Sequence, residues 1–315
     1  MHEIFNTRNN PQIDPILSIW GWDVAMYLFL GGFTAGVMII VGWFVFSGRQ
    51  KNENCSCSFM PLVGIIAMSI GMGFLFMDLE NKFNVWRFYT TFRIASPMSW
   101  GAWILLLVYP VLAILAFIKP MKLLEKILPQ TGKISEYLNN RNKLVKVIGS
   151  SSMVIGAMLG MYTGVLLSTF AARPLWNSSM LWVLFLVSGL SSAAAFIHLV
   201  AKNAQESKLL AKADNGLLIF ELLILFLILI GFIGSTQVHQ EAVQVLLTGQ
   251  YAAAFWVLVV GIGIVIPLII QLFAVNDKIN HTAIAPIMVI LGGLALRFII
   301  VNAGQYSSWS MNVIP

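Results

Sequence analysis

Eight apolar stretches, each long enough to cross a bilayer, run through this chain at about 20–46, 61–79, 99–118, 147–170, 179–200, 216–236, 251–274 and 283–303. Hydrocarbon offers a backbone no hydrogen-bond partners, so a span of roughly 20 residues must be a helix that pairs its own amides. No other feature limits the fold as tightly. It predicts an all-α integral membrane protein with eight transmembrane helices, forming one polytopic domain over residues 1–315. Charged residues make up only 10% of the chain, where a soluble domain carries roughly 25%. The longest polar connection runs from Lys119 to Lys146 and the others are short, so no separate soluble domain is expected.

The basic residues set the expected orientation. The connections after spans one, three, five and seven hold 13 Lys and Arg, whereas the other connections and both tails hold 5. Positive residues stay in the cytoplasm, which puts both termini on the outer side. The same distribution accounts for the net charge of +6 without a nucleic-acid surface. The N-terminal MHEIFNTRNNPQIDP lacks the basic-then-apolar order of a cleavable signal peptide, so the spans themselves are expected to drive insertion.

The stretch VIGSSSMVIGAMLGMYTGVLLSTFAARPLWN (147–177) has two faces. At about 100° per residue, Gly156, Gly160 and Gly164 form a narrow stripe where another helix can come close. Tyr162 points the opposite way, with Ser151 and Thr169. A phenol in hydrocarbon needs a partner for its hydroxyl. Headgroup water, a neighbouring helix and a bound ligand all qualify.

Few other ionisable groups lie in the spans. Asp23 and Tyr27 share one face near the outer end of span one, and Asp78 closes span two on the side of Gly64, Ala67 and Gly71. Glu221 lies in span six, one heptad after Asp214, and Arg297 lies in the outer half of span eight. A charge at mid-membrane costs about 2.5–3.5 kcal/mol, so such residues survive by pairing or by working. Arg297 has three possible partners: Asp78, Asp23 or Glu221. Asp23, Tyr27, Asp78, Tyr162 and Arg297 read together as an outer cluster. A lipid-soluble quinol must give up two protons when oxidised, and phenols beside carboxylates at headgroup depth are suited to it.

Several chemistries find no support. Haem in a membrane bundle sits between facing histidines, but His2, His198, His239 and His281 fall in tails, loops or span ends on both sides. Neither haem nor a metal is expected on this chain. Cys55 and Cys57 are poorly spaced to bridge each other and read as two loop thiols. No Gly-rich phosphate loop ending in Lys-Ser/Thr is present. The aromatic and basic connection LENKFNVWRFYTTFRIASPM (79–98) suits either an interfacial belt or a docking surface for an external partner.

Four segments together resemble the NrfD/PsrC family, the membrane subunits of polysulfide reductase and related molybdenum-enzyme complexes. They are WDVAMYLFLGGFTAG (22–36), ASPMSWGAW (95–103), MYTGVLLSTFAARPLWN (161–177) and LRFIIVNAGQ (296–305). The resemblance implies two four-helix bundles in a bacterial inner membrane and a menaquinol site near the outer face. It also implies partners on that side, a four-cluster ferredoxin-like iron–sulfur subunit and a molybdopterin catalytic subunit. Tyr162 would be the quinone-site tyrosine, with Asp23 and Tyr27 at further quinone-site positions. Asp78, Glu221 and Arg297 match polar positions tied to quinol oxidation and proton handling. The family's usual D-L-G-R-P after span two reads D-L-E-N-K here, starting at Asp78. Two other readings stand beside this one: a proton-coupled secondary transporter, with Pro267 breaking span seven, and an inert membrane anchor. The orientation is checked directly: reporters fused after Gln130 are expected to score cytoplasmic and reporters at the C-terminus external, and the reverse pattern overturns it.

Overall fold

A computed structural model describes residues 20–307 apart from 53, 80, 95, 122–124, 127, 129, 171–172 and 276–281. The spans are α1 (Trp22–Phe46), α2 (Met60–Asp78), α4 (Pro97–Ile118), α6 (Asn142–Ser168), α7 (Leu181–Val200) and α8 (Ala204–Ile233), then span seven and α11 (Ile284–Tyr306). Span seven is a π-helix over Ala254–Val265 continued by α10 (Ile266–Val275). Among the described residues, three shorter α-helices lie between spans: α3 (Trp86–Thr90), α5 (Gln130–Asn139) and α9 (Gln237–Leu247). All eight spans are long and apolar enough to cross a membrane.

Most boundaries fall within a few residues of the apolar stretches, because the span is set by where charge begins. Span six is the exception, beginning at Ala204 rather than near 216. The segment AQESKLLAKADN is polar, but its Ala, Leu, Lys, Gln and Glu are good helix formers. The Asn203 side chain caps it by accepting the Gln205 N–H at 3.0 Å. Asp214, which the sequence places in a connection, is therefore inside a helix and fully buried. Pro267 does not break span seven; the irregularity is the π-stretch before it.

Lipid is as apolar as leucine, so helices in a membrane associate through close packing rather than a hydrophobic drive. Here the approach is made at glycines. A Cβ at Gly36 of α1 would lie 2.6 Å from the Gly189 carbonyl oxygen of α7. A Cβ at Gly42 would lie 2.7 Å from the Gly149 carbonyl oxygen of α6. The Gly156, Gly160 and Gly164 stripe packs as its spacing predicts. Gly156 meets Ala35 and Met38 of α1, and Gly160 meets Ala35 and Leu186; Gly164 meets Leu181 and Trp182 of α7. Ser152 adds a hydrogen bond to the Met38 carbonyl at 2.8 Å. Helix α1 thus packs along α2, α6 and α7; α4 lies against α6 and α2; α7 also packs on α8 and α11; and α11 lies along the π-stretch.

Both ends are pinned by side chains. At one end Trp20 and Gln305 exchange two bonds, backbone N–H to Oε1 at 3.0 Å and Nε2 to backbone oxygen at 2.9 Å. The indole of Trp176 donates to the Ile300 carbonyl at 2.8 Å, stacks on Trp20 and lies against Gly304. The buried Arg173 donates to the Ser307 carbonyl at 2.8 Å. We call this the Trp20 end. At the opposite end the Glu206 carboxylate accepts the Ser56 N–H at 3.2 Å, and Ser135 and Asn139 of α5 bond the Ile118 carbonyl that α4 leaves free. Cys55 and Cys57 are joined as a disulfide, which corrects the reading of two separate loop thiols: a short helical turn at Ser56–Ser58 folds the chain back enough to bring the sulfurs together.

The glycine contacts give a stability prediction. Gly36→Leu forces backbone apart at the α1–α7 contact and is expected to cost more than the about 1–3 kcal/mol of ordinary overpacking. Gly231→Leu, where nothing lies within 4 Å, is expected to be neutral. Thermal unfolding of both variants in detergent checks it; equal stabilities would mean that the close approach is not what holds α1 in place.

Candidate functional site

The first polar group lies at the Trp20 end, between α1, α2, α4 and α6. Tyr27 is 2% exposed, one turn into α1 from Asp23, with its ring 3.7 Å from where a Cβ on Gly71 of α2 would stand. Tyr162 is 7% exposed and lies so close to Gly101 of α4 that a Cβ there would overlap its phenol. Only glycine leaves room for that ring. The two tyrosines interact electrostatically, as do Asp23 and Asp78, both half-buried. Asp23 accepts the Val24 N–H at 3.1 Å. Neither the Tyr27 nor the Tyr162 hydroxyl has a hydrogen-bond partner among the described residues.

Two tyrosines join this group that the sequence did not single out. Tyr89 on α3 lies within electrostatic reach of both Tyr27 and Tyr109. Tyr109 of α4 shares a 3.3 Å hydrogen bond with Ser69 of α2. The connection carrying Tyr89 is held to α4. Ser99 accepts the Arg93 N–H at 3.0 Å and donates to the Thr91 carbonyl at 3.2 Å, and the Trp100 indole donates to the Ile94 carbonyl at 2.8 Å. A five-residue helix leaves no periodic pattern to read, so only the aromatic content of that connection hinted at Tyr89. Its surface stays apolar, with Phe83, Trp86, Phe92 and Ile94 all exposed.

The second polar group lies on the other side of α1. Arg297 of α11, 1% exposed, donates from Nη2 to the Phe185 carbonyl of α7 at 2.8 Å, with its guanidinium 4.0 Å from the Phe185 ring centroid. Its Nε and Nη1 have no hydrogen-bond partner among the described residues. The carboxylate that senses its charge is Glu221 of α8. Of the three acids the sequence leaves open, Glu221 is the one whose field reaches Arg297, with no ion pair or hydrogen bond between them among the described residues. Glu221 is buried, with the Ser188 side chain of α7 beside its carboxylate. Further along α8, Asp214 accepts from Ser191 at 2.6 Å and from Gln271 of α10 at 2.8 Å. Three helices thus meet through side-chain polar bonds at a fully buried acid.

A family model described as Polysulphide reductase, NrfD, matches residues 9–307. The chain belongs to this family. It is 29% identical to the C chain of polysulfide reductase from Wolinella succinogenes, over 91% of this sequence and 94% of that one. It is 28% identical to the NrfD homolog of Haemophilus influenzae with the same coverage. It is 21% identical to the C subunit of selenate reductase from Mesobacillus selenatarsenatis, over 90% of this sequence and 73% of that one. Eight apolar helices and this membership together make it a multi-pass membrane protein.

The four segments that carry the resemblance divide between structure and chemistry. The first supplies Asp23 and Tyr27 but also Gly32 and Gly36, and the second supplies Ser99 and Gly101, which hold the loop and accommodate Tyr162. The third carries Tyr162 and ends in Trp176; the fourth carries Arg297 and ends in Gly304 and Gln305, so the closing residues of both are the clamp at the Trp20 end. His198 closes α7 at the opposite end and His239 lies in α9, while His2 and His281 fall outside the described residues. Glu80 of the altered D-L-E-N-K also falls outside them, and Lys82–Asn84 forms a short helical turn.

Proposed function

We propose that this chain is the quinol-oxidising membrane subunit of a respiratory oxidoreductase similar to polysulfide reductase, in a bacterial inner membrane with its Trp20 end facing outward. The observation that carries the reading is the pair of buried tyrosines, Tyr27 and Tyr162, neither hydroxyl of which is bonded within the described residues, beside two half-buried carboxylates. Such a site offers a quinol what it needs: apolar walls for the ring, a hydroxyl for each ring oxygen, and bases for the protons. Menaquinol is the substrate proposed. Its oxidation to the quinone releases two electrons and two protons. Asp23 and Asp78 take the protons, and their partial exposure gives the protons a way to water. The electrons pass to an iron–sulfur subunit docked on the exposed aromatic surface of residues 79–98, which feeds a molybdopterin subunit.

The test is Tyr162→Phe, which removes one hydroxyl and almost no volume. Quinol-driven turnover of the assembled complex is expected to fall by more than about tenfold, the effect of a hydrogen bond worth at least roughly 1.4 kcal/mol. Reduction of the terminal substrate from a dye that feeds the external subunits is expected to persist. Unchanged quinol turnover overturns the reading.

The second polar group supports a further part of the same reading, a proton route from the cytoplasmic side through Asp214 and Glu221. An acid held by Ser191 and Gln271, in line with a second acid beside Arg297, is a chain of groups able to pass a proton. The π-stretch before Gln271 is an irregularity of the kind that transporters use, and it is the observation that favours the proton-coupled transporter as the alternative. Glu221→Gln discriminates. It is expected to slow quinol oxidation and change its response to membrane potential while leaving quinol affinity within about twofold. Normal turnover with a normal response to potential overturns the route.

A further inference from the structure

The connection between α4 and α6 carries most of the chain's charge. From Lys119 to Lys146 it holds seven basic residues against two acids, Glu125 and Glu136, a surplus of five in a chain whose net charge is +6. Helix α5 gives part of this connection a fixed shape. Its Thr131 is buried, and Ser135 and Asn139 hold it to the end of α4 by their bonds to the Ile118 carbonyl. The face turned away from those bonds carries Ile134 and Tyr137, both exposed although they lie outside every span, with Lys133 beside them. Glu136 is one residue before Tyr137 and so stands about 100° round the helix from it. Where α5 turns into α6, the Arg141 guanidinium lies 4.6 Å from the Tyr137 ring centroid, so the aromatic face holds this cation in place.

Helix α6 continues this surface into the membrane. Lys143, Val147, Val154 and Met158 fall within about 60° of one another round the helix, and all four are exposed. Lys146, three residues on from Lys143, is exposed as well. From Val147 to Met158 the apolar stripe is about 16 Å long, close to the roughly 15 Å of hydrocarbon in one leaflet. The cations at its end therefore stand at headgroup depth, where long basic side chains reach out of the hydrocarbon. Among the described residues, none of Lys133, Arg141, Lys143 and Lys146 has a carboxylate partner. We infer that the corner between α5 and α6 binds an anionic phospholipid, its phosphodiester against Arg141 and Lys143 and one acyl chain along Val147, Val154 and Met158. The anionic headgroup matches the surplus of positive charge, and the chain matches the stripe in length and in apolar character. A free phosphate or a soluble polyanion would meet the cations alone and leave Ile134 and Tyr137 in water.

The test uses the full chain in a neutral detergent, with native mass spectrometry counting bound dioleoylphosphatidylglycerol or dioleoylphosphatidylcholine. The anionic lipid is expected to bind at least about tenfold more tightly than the zwitterionic one, and equal binding overturns the proposal. Each cation beside an anionic headgroup is worth about fivefold in binding. Arg141→Gln combined with Lys143→Gln is therefore expected to weaken phosphatidylglycerol roughly twentyfold and phosphatidylcholine by less than about twofold. Lys51→Gln combined with Lys202→Gln removes the same charge from exposed positions in other connections at that end, and is expected to leave both lipids within about twofold. Equal losses in the two double variants overturn the site and leave a general attraction to the basic end. Displacement of the lipid by inorganic phosphate at equal concentration overturns a phospholipid as the occupant. A phosphatidylglycerol carrying a diazirine in its acyl chain needs no variant to fold. Its crosslinks to the unsubstituted protein are expected on 147–158, and crosslinks spread evenly over the lipid-facing helices overturn the proposal.

Discussion

The close approach of α1 to α7 is the contact on which the rest of the bundle depends. A Cβ on Gly189 would stand 2.7 Å from the Gly32 carbonyl carbon, and one on Gly36 would stand 2.9 Å from the Leu190 Cα. In lipid there is no water to expel from between two helices, so dispersion and shape carry the association. Glycines let two backbones touch along a full turn. That contact fixes the rotation of α1, and the rotation decides which way its side chains point. With Gly32 and Gly36 held on α7, Tyr27 is turned toward Gly71 of α2 and its phenol meets the group around Tyr162.

The same logic sets Tyr162. Its helix gives Gly156, Gly160 and Gly164 to α1 and α7, and the opposite face must then look toward α4. There Gly101 leaves the space the phenol takes. This part of the site was legible in the sequence, because a helix has a fixed angular period and glycine spacing reports which face is buried. The spans were legible for a related reason: the cost of charge in hydrocarbon marks their limits. Asp78 fell where the Gly64, Ala67 and Gly71 stripe directs it, half-buried and in electrostatic contact with Asp23.

What escaped the sequence depended on how helices face one another. Glu221 and Arg297 are on helices that both pack against α7, so depth along each helix suggested opposite ends while packing brought them within reach. The start of α8 escaped because hydropathy sees the polarity of residues 204–215 and not their helix-forming composition or the Asn203 cap. The π-stretch of span seven leaves the apolar pattern unchanged, since every side chain there is apolar or glycine whichever hydrogen-bond register it takes. Tyr89 escaped because its position depends on bonds from Ser99 and Trp100, which no periodicity encodes.

Helix α1 is also the wall between the two polar groups. Tyr27 looks toward one, and Gly32, about 7.5 Å further along the axis, stands beside the other, 3.3 Å from Arg297 Nη2 when measured from its would-be Cβ. The half-buried Asp23 and Asp78 have access to the surface, whereas Glu221, Asp214 and Arg297 are sealed. In the proposed function, protons given up beside Tyr162 would have a short way out that does not cross α1. In the same reading, a proton reaching Glu221 would come along α8, past Asp214 and the Gln271 that bonds it. Chemistry on one side and proton movement on the other would then be linked through the position of α1 and the field across it, with no shared carboxylate. A Cβ at Gly32 would stand 3.3 Å from Arg297 Nη2 and in ordinary contact with the Gly189 Cα at 3.6 Å, so this glycine borders both the α7 contact and the buried arginine.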